Sequence, residues 1–173
     1  MDTTRRTFLK AGLLSAAVLA VGGAWYRVTH PAPPHGFVLD GEARAALGAI
    51  VPAILAGTLP VAPAERARAI AATTDRVHQA ILGLPLGSQQ EVQDLFGLLT
   101  LAPARRLLTG VAGGWAAAKE ADVAAFLQDW RTHRFAVMRT AYAALHDLVL
   151  GAWYSDPAHW DAIGFPGPLK ELA

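Results

Sequence analysis

From Glu120 to Leu150 the chain runs without a proline or a glycine. Val123, Phe126, Leu127, Trp130, Val137, Met138, Ala141, Leu145 and Leu148 recur through it at helical spacing. That period places them on one face of an α-helix, whereas a strand requires alternation by two. The stretch therefore predicts one long helix beginning near Ala121. A second row, Phe135, Tyr142, His146 and Trp153, falls off the main stripe. It reads either as further core or as a face turned toward a partner.

The rest of the chain repeats the helical period with stops between. Asp40 is a good N-cap, with Glu42 in the first turn facing the positive helix end. Ala43, Leu47, Ile50, Val51, Ile54 and Leu55 follow on one stripe, with Pro52 inside it as an expected kink. Gly57 to Pro63 is a connection rich in Pro and Gly. Pro63 opens a second helix with Ile70, Val77 and Ile81 on one face, and Arg66, Arg68, Asp75 and Arg76 on a solvated one. Gly83-Leu84-Pro85 ends it. Ser88 with Glu91 has the spacing of a capping box, followed by Val92, Leu95, Phe96 and Leu99. Pro103 restarts a short helix carrying Leu107, Leu108 and Val111, and Gly113-Gly114 stops it. No internal repeat and no strand pattern is visible. The fold expected is all-α: about five helices after an N-terminal signal or anchor helix, with an extended aromatic, Pro-rich tail.

Near its start the sequence reads Thr4-Arg5-Arg6-Thr7-Phe8-Leu9-Lys10, followed by an uncharged run from Ala11 to Tyr26 and then Arg27. Paired arginines, then Phe-Leu-Lys, then a mildly apolar segment, form the pattern of a twin-arginine export signal. Arg5, Arg6, Phe8, Leu9 and Lys10 are its recognition residues. That route carries proteins already folded. The run of 16 residues is marginal for a spanning helix, which needs about 17–25. Cleavage after Ala20 or Ala24, and retention as an anchor with Trp25, Tyr26 and Arg27 at the interface, both fit. His30 to Gly36 holds three prolines in seven residues and reads as an extended linker. The predicted organisation is a signal or anchor over 1–27, a linker over 28–38 and a helical domain over 39–173. The expected location is the periplasmic side of the cytoplasmic membrane.

Composition narrows the function classes. Hydrophobic residues make up 53% and charged residues 17%, an apolar balance that suggests surface covered by a partner. Without the leader, 11 basic and 13 acidic residues remain. No basic excess is left to suggest nucleic acid. The absence of cysteine excludes disulfides, thiolate metal sites, cysteine-ligated iron–sulfur clusters and c-type haem attachment on this chain. The histidines are His30, His35, His78, His133, His146 and His159, and no two share metal-ligand spacing on one helix. None of the glycine clusters follows a strand and opens a helix, and no serine sits in a G-x-S-x-G turn. No catalytic, cofactor-binding or metal residue is assigned.

The C-terminal segment concentrates Trp153, Tyr154, Trp160 and Phe165 among Asp156, Pro157, Ile163, Gly164, Pro166, Gly167 and Pro168. Asp156 before Pro157 is an N-cap and first-turn pair. Large aromatics on such scaffolding need a surface to lie on, and Trp and Tyr are enriched at interface hot spots. These eleven residues are the candidate partner grip, with packing on their own domain as the other reading.

Most of the chain resembles the small, third subunit of gluconate 2-dehydrogenase and similar membrane-associated flavin dehydrogenases. The resemblance rests on the T-R-R-T-F-L-K leader, on Leu39-Asp40 followed by Val51-Pro52-Ala53-Ile54-Leu55, and on Leu101-Ala102-Pro103-Ala104-Arg105-Arg106. Its most specific part is G-A-W-Y-x-D-P-x-x-W-x-x-I-G-F-P-G-P, ending at Pro168. Phe165 stands where that family would have Tyr. The resemblance implies a non-catalytic subunit that escorts a flavin-bearing large dehydrogenase subunit through the twin-arginine translocon. FAD would sit in that partner, and haem c in a third, cytochrome c subunit. The alternative expectation is a stand-alone periplasmic helical binding module, with a pocket near Tyr142, His146 and Trp153, or a membrane-anchored scaffold.

Overall fold

In the computed structural model the described residues are 36–167. They form six α-helices, α1 Gly41–Ile54, α2 Pro63–Leu82, α3 Leu86–Thr100, α4 Ala102–Thr109, α5 Glu120–Thr132 and α6 Ala136–Tyr154. Three short 3-10 turns, Trp115–Ala117, Pro157–His159 and Asp161–Ile163, complete them, and no strand occurs among the described residues. The export-signal residues Arg5, Arg6, Phe8, Leu9 and Lys10 lie outside this range. So do the cleavage sites and Pro168.

The domain is arranged around α1, which packs against α2, α3, α5, α6 and the Trp115–Ala117 turn. The reason is in its sequence: after Arg44 it carries no charge. Ala43, Ala46, Leu47, Ile50, Val51 and Pro52 are buried, and Ala45, Ala49, Ala53 and Ile54 are partly buried against the core. A helix apolar on nearly every side belongs inside. Small residues between the large ones let its neighbours approach. Asp40 caps it as expected, its Oδ1 accepting from the Ala43 N–H at 2.7 Å. Pro52 cannot donate to the Gly48 carbonyl, and the helix ends two residues later at Ile54.

The core reaches further toward the N-terminus than the expected linker boundary. Phe37 is 3% exposed. Its ring lies 5.8 Å from those of both Phe96 and His78, and its N–H donates to Gln89 Oε1 at 2.9 Å. The same Gln89 side chain donates to the carbonyls of Leu82 and Leu84. A single buried amide thus joins the chain entering α1 to the turn between α2 and α3. That turn sets the start of α3. The helix begins at Leu86 behind Pro85, with no side-chain cap, and Ser88 lies inside it. The expected Ser88–Glu91 capping box does not form.

Two further expectations are corrected. The long helix is two helices. α5 stops at Thr132, His133 turns to an extended conformation, and α6 starts at Ala136. His133 Nδ1 accepts from the Phe135 N–H at 3.2 Å, while Arg139 donates back to the carbonyls of His133 and Arg134. These bonds replace helical ones at the break. The second correction is α4. Leu107 is 85% exposed, while Arg105 is 7% exposed. The Arg105 guanidinium donates to the carbonyls of Val111 and Thr100. The helix ends at Gly110, in the left-handed conformation at φ 73°, before the Gly113-Gly114 pair.

In α2, Val77 and Ile81 are buried, and so are Thr73 and Thr74. Their hydroxyls donate to the carbonyls of Ala69 and Ile70 one turn back, which lets polar residues sit in a core. The charged residues of α2 are not merely solvated. Arg66 pairs with Glu120 and Asp75 with Arg44, each at 2.7 Å.

Candidate functional site

The C-terminal segment follows from one local device. Asp156 accepts from the Ala158 N–H at 3.0 Å through Oδ1 and from Arg76 of α2 through Oδ2. Pro157 is the first residue of the 3-10 turn that follows. The backbone bond from Ala158 and the nearby charges of Arg76 and His159 hold the Asp156 carboxyl below its ordinary value, with partial desolvation opposing them.

The turn brings His159 back over the end of α6. Its ring stacks on Trp153 with centroids 3.5 Å apart and planes 9° from parallel. His159 Nδ1 lies 2.7 Å from the Trp153 carbonyl. A carbonyl only accepts, so Nδ1 carries the hydrogen. The Trp160 indole donates to the Tyr154 carbonyl at 2.7 Å. The chain then bends at Gly164, at φ 68°, where a side chain would be strained. Phe165 donates its N–H to the Trp160 carbonyl at 3.0 Å and sets its ring edge-on to Trp160 at 5.1 Å. At Gly167, φ is 90° and a Cβ would come within 3.2 Å of the Trp160 ring. A side chain there would be strained and would crowd the indole.

The predicted grip therefore divides into an inner and an outer part. Trp153 is 4% exposed and belongs to the core. Tyr154, Asp156, Trp160 and Gly167 are half-buried. Pro157, Ile163, Gly164, Phe165 and Pro166 are exposed. The 3-10 turn after Asp156 is the short helical turn expected there, and a second, Asp161–Ile163, follows it. Sequence reading paired neither Arg76 with Asp156, 80 residues apart, nor His159 with Trp153. The Asp-Pro cap was the visible signal that the chain would turn here.

Tyr142 and His146 stand together on α6 with ring centroids 5.4 Å apart, both half-buried. Trp153 does not join them. A groove of about 410 Å³ instead lies between α1 and the start of α5, lined by Ala45, Gly48, Ala49, Pro52, Trp115 and Glu120 among others. None of Tyr142, His146 and Trp153 lines it. Among the described residues no three His, Asp or Glu side chains gather as a metal site, and no helix is long and apolar enough to cross a membrane. Comparison with known protein families, characterised proteins and solved structures finds no match to this chain.

Proposed function

We propose that this chain is the non-catalytic small subunit of an exported, flavin-dependent dehydrogenase acting on alcohols or sugar acids. Its roles are folding partner, structural subunit and twin-arginine escort of a flavin-bearing large subunit that lacks a signal of its own. FAD belongs to that partner, and haem c to a cytochrome c subunit where one joins. The observation that carries the reading is the Thr4–Lys10 leader combined with the G-A-W-Y-x-D-P ending. Its physical support is the outer face of the C-terminal turn. Ile163 and Phe165 are 54% and 43% exposed, on a turn tied to its domain by Asp156, His159 and Trp160. Apolar side chains presented on a fixed turn lose little freedom when covered, which favours an interface.

The test is co-purification. The tagged chain, isolated from its native host, is expected to bring down a protein with a flavin absorption spectrum. Ile163→Ser with Phe165→Ser should reduce the recovered flavin at least tenfold while leaving helix content unchanged. Arg5→Lys with Arg6→Lys should keep the complex but hold the flavoprotein in the cytoplasm. Recovery of the chain without any flavoprotein, or export of the flavoprotein in the absence of the chain, overturns the proposal.

A further inference from the structure

The break between α5 and α6 gathers three arginines in a short span. Arg44, Arg66 and Arg76 each hold a carboxylate, and Arg105 and Arg106 turn onto backbone carbonyls of the loop after α4. Arg131, Arg134 and Arg139 fall within nine residues. None of them meets a carboxylate among the described residues. Asp129, the nearest acid in sequence, forms no ion pair there either.

Two large apolar side chains sit among these cations. Phe135 is 52% exposed and Val137 65%. The Arg134 guanidinium lies 4.6 Å from the Phe135 ring centroid, and His133 flanks the same ring at 5.3 Å. Arg139 folds back to the carbonyls of His133 and Arg134, the two residues whose side chains flank the ring. The helix that starts here has no acidic residue in its first turn. Its positive end therefore adds to the field of the arginines.

We propose that this elbow docks on a membrane surface rich in anionic phospholipid. Phe135 and Val137 enter the headgroup region, and Arg131, Arg134 and Arg139 pair with lipid phosphates. Charge complementarity selects the anionic surface, because a guanidinium on an exposed ring, with two more cations close by in the chain, matches an interface of mobile phosphates over hydrocarbon. A stable protein partner buries about 800 Å² on each side. Two apolar side chains with a basic rim present far less. The proposal does not rest on the subunit reading, since the elbow is separate from the C-terminal turn.

The absence of cysteine makes the test site-specific in the full chain. Val137→Cys carries an environment-sensitive fluorophore, and Val61→Cys, at an apolar position 96% exposed, carries the same label as control. Vesicles of phosphatidylglycerol and phosphatidylcholine should shift the emission at 137 to the blue and raise it several-fold. Phosphatidylcholine vesicles should not. The response should fall steeply at high salt, where the screening length drops to about 3 Å at 1 M. Arg134→Gln with Arg139→Gln should remove most of it, and Lys at both positions should restore it. The control label excludes tethering by the leader alone. A silent label at 137, an equal response to neutral vesicles, equal responses at 61 and 137, or a response to a purified flavoprotein instead of to vesicles each overturns the proposal.

Discussion

Asp156 joins two directions of the chain at one carboxylate, capping its own turn and holding Arg76 of α2. Its carboxyl is held below the ordinary value of 3.8. The stability it contributes is therefore complete above that value and is lost as pH falls below it through the lowered one. Urea unfolding of the native chain and of Asp156→Asn should show a gap at neutral pH that closes as the medium is acidified below about pH 4. A gap that widens in acid contradicts the assignment. Trp115 supports a second expectation. It is buried and donates its indole N–H to the Leu99 carbonyl at 2.8 Å. Trp115→Phe leaves that carbonyl unpaired and should cost about 1–3 kcal/mol, measured as a lower urea midpoint at unchanged slope. At this scale the sequence was readable where a bond is local. Asp40 and Asp156 announce their caps, because donor and acceptor are two or three residues apart. Arg76, Gln89 and Arg105 could not be read, because each finds partners through the turns of the fold.

Among the elements, the helices that announced themselves were those with chemistry at both ends. α1 starts at an aspartate, and α2 begins at a proline and stops at a glycine. The break at His133 has neither signal. What it does have is Arg131-Thr132-His133-Arg134, four polar residues that cover every side of one turn and interrupt the stripe continued from Trp130. A stripe allowed to skip a turn joins two helices that in fact pack against each other. The inward face of α4 was not legible for a related reason. In eight residues the period is too short to tell the inward face from the outward one. The loop after the helix decides it, by offering carbonyls to Arg105. Leu107→Gln should therefore change stability by no more than about 0.5 kcal/mol, whereas Leu145→Ala in the core should cost about 2–5 kcal/mol. Thermal unfolding of the two variants separates them. Comparable losses would mean that Leu107 is covered in solution.

On the scale of the whole molecule, the all-α class followed from composition and period, and the placement of α1 at the centre did not. Its near-absence of charge was the available clue, but burial depends on what the other helices leave uncovered. The C-terminal segment shows the same limit. Aromatic content marked it as a surface seeker, and only the folded turn separates Trp153, which serves the core, from Ile163 and Phe165, which do not. This changes how the segment is tested. Deleting residues 156–173 removes the stack on Trp153, the indole bond to Tyr154 and the partner of Arg76 together. That truncation should lower the thermal midpoint of the isolated chain itself. Loss of a partner would then say nothing about contact, so surface substitutions at 163 and 165 are the decisive variants. An unchanged midpoint would show the turn to be energetically idle.

The tie between Arg76 and Asp156 also sets a time. The helix that offers the arginine is made first, and its carboxylate follows 80 residues later. Until residue 156 has emerged from the ribosome, Arg76 of α2 waits without its carboxylate. The tie therefore closes only on chains that extend through the turn after α6. A product that stops just after α6 keeps Trp153 without the His159 ring that stacks on it and Arg76 without Asp156, which gives quality control a surface to recognise.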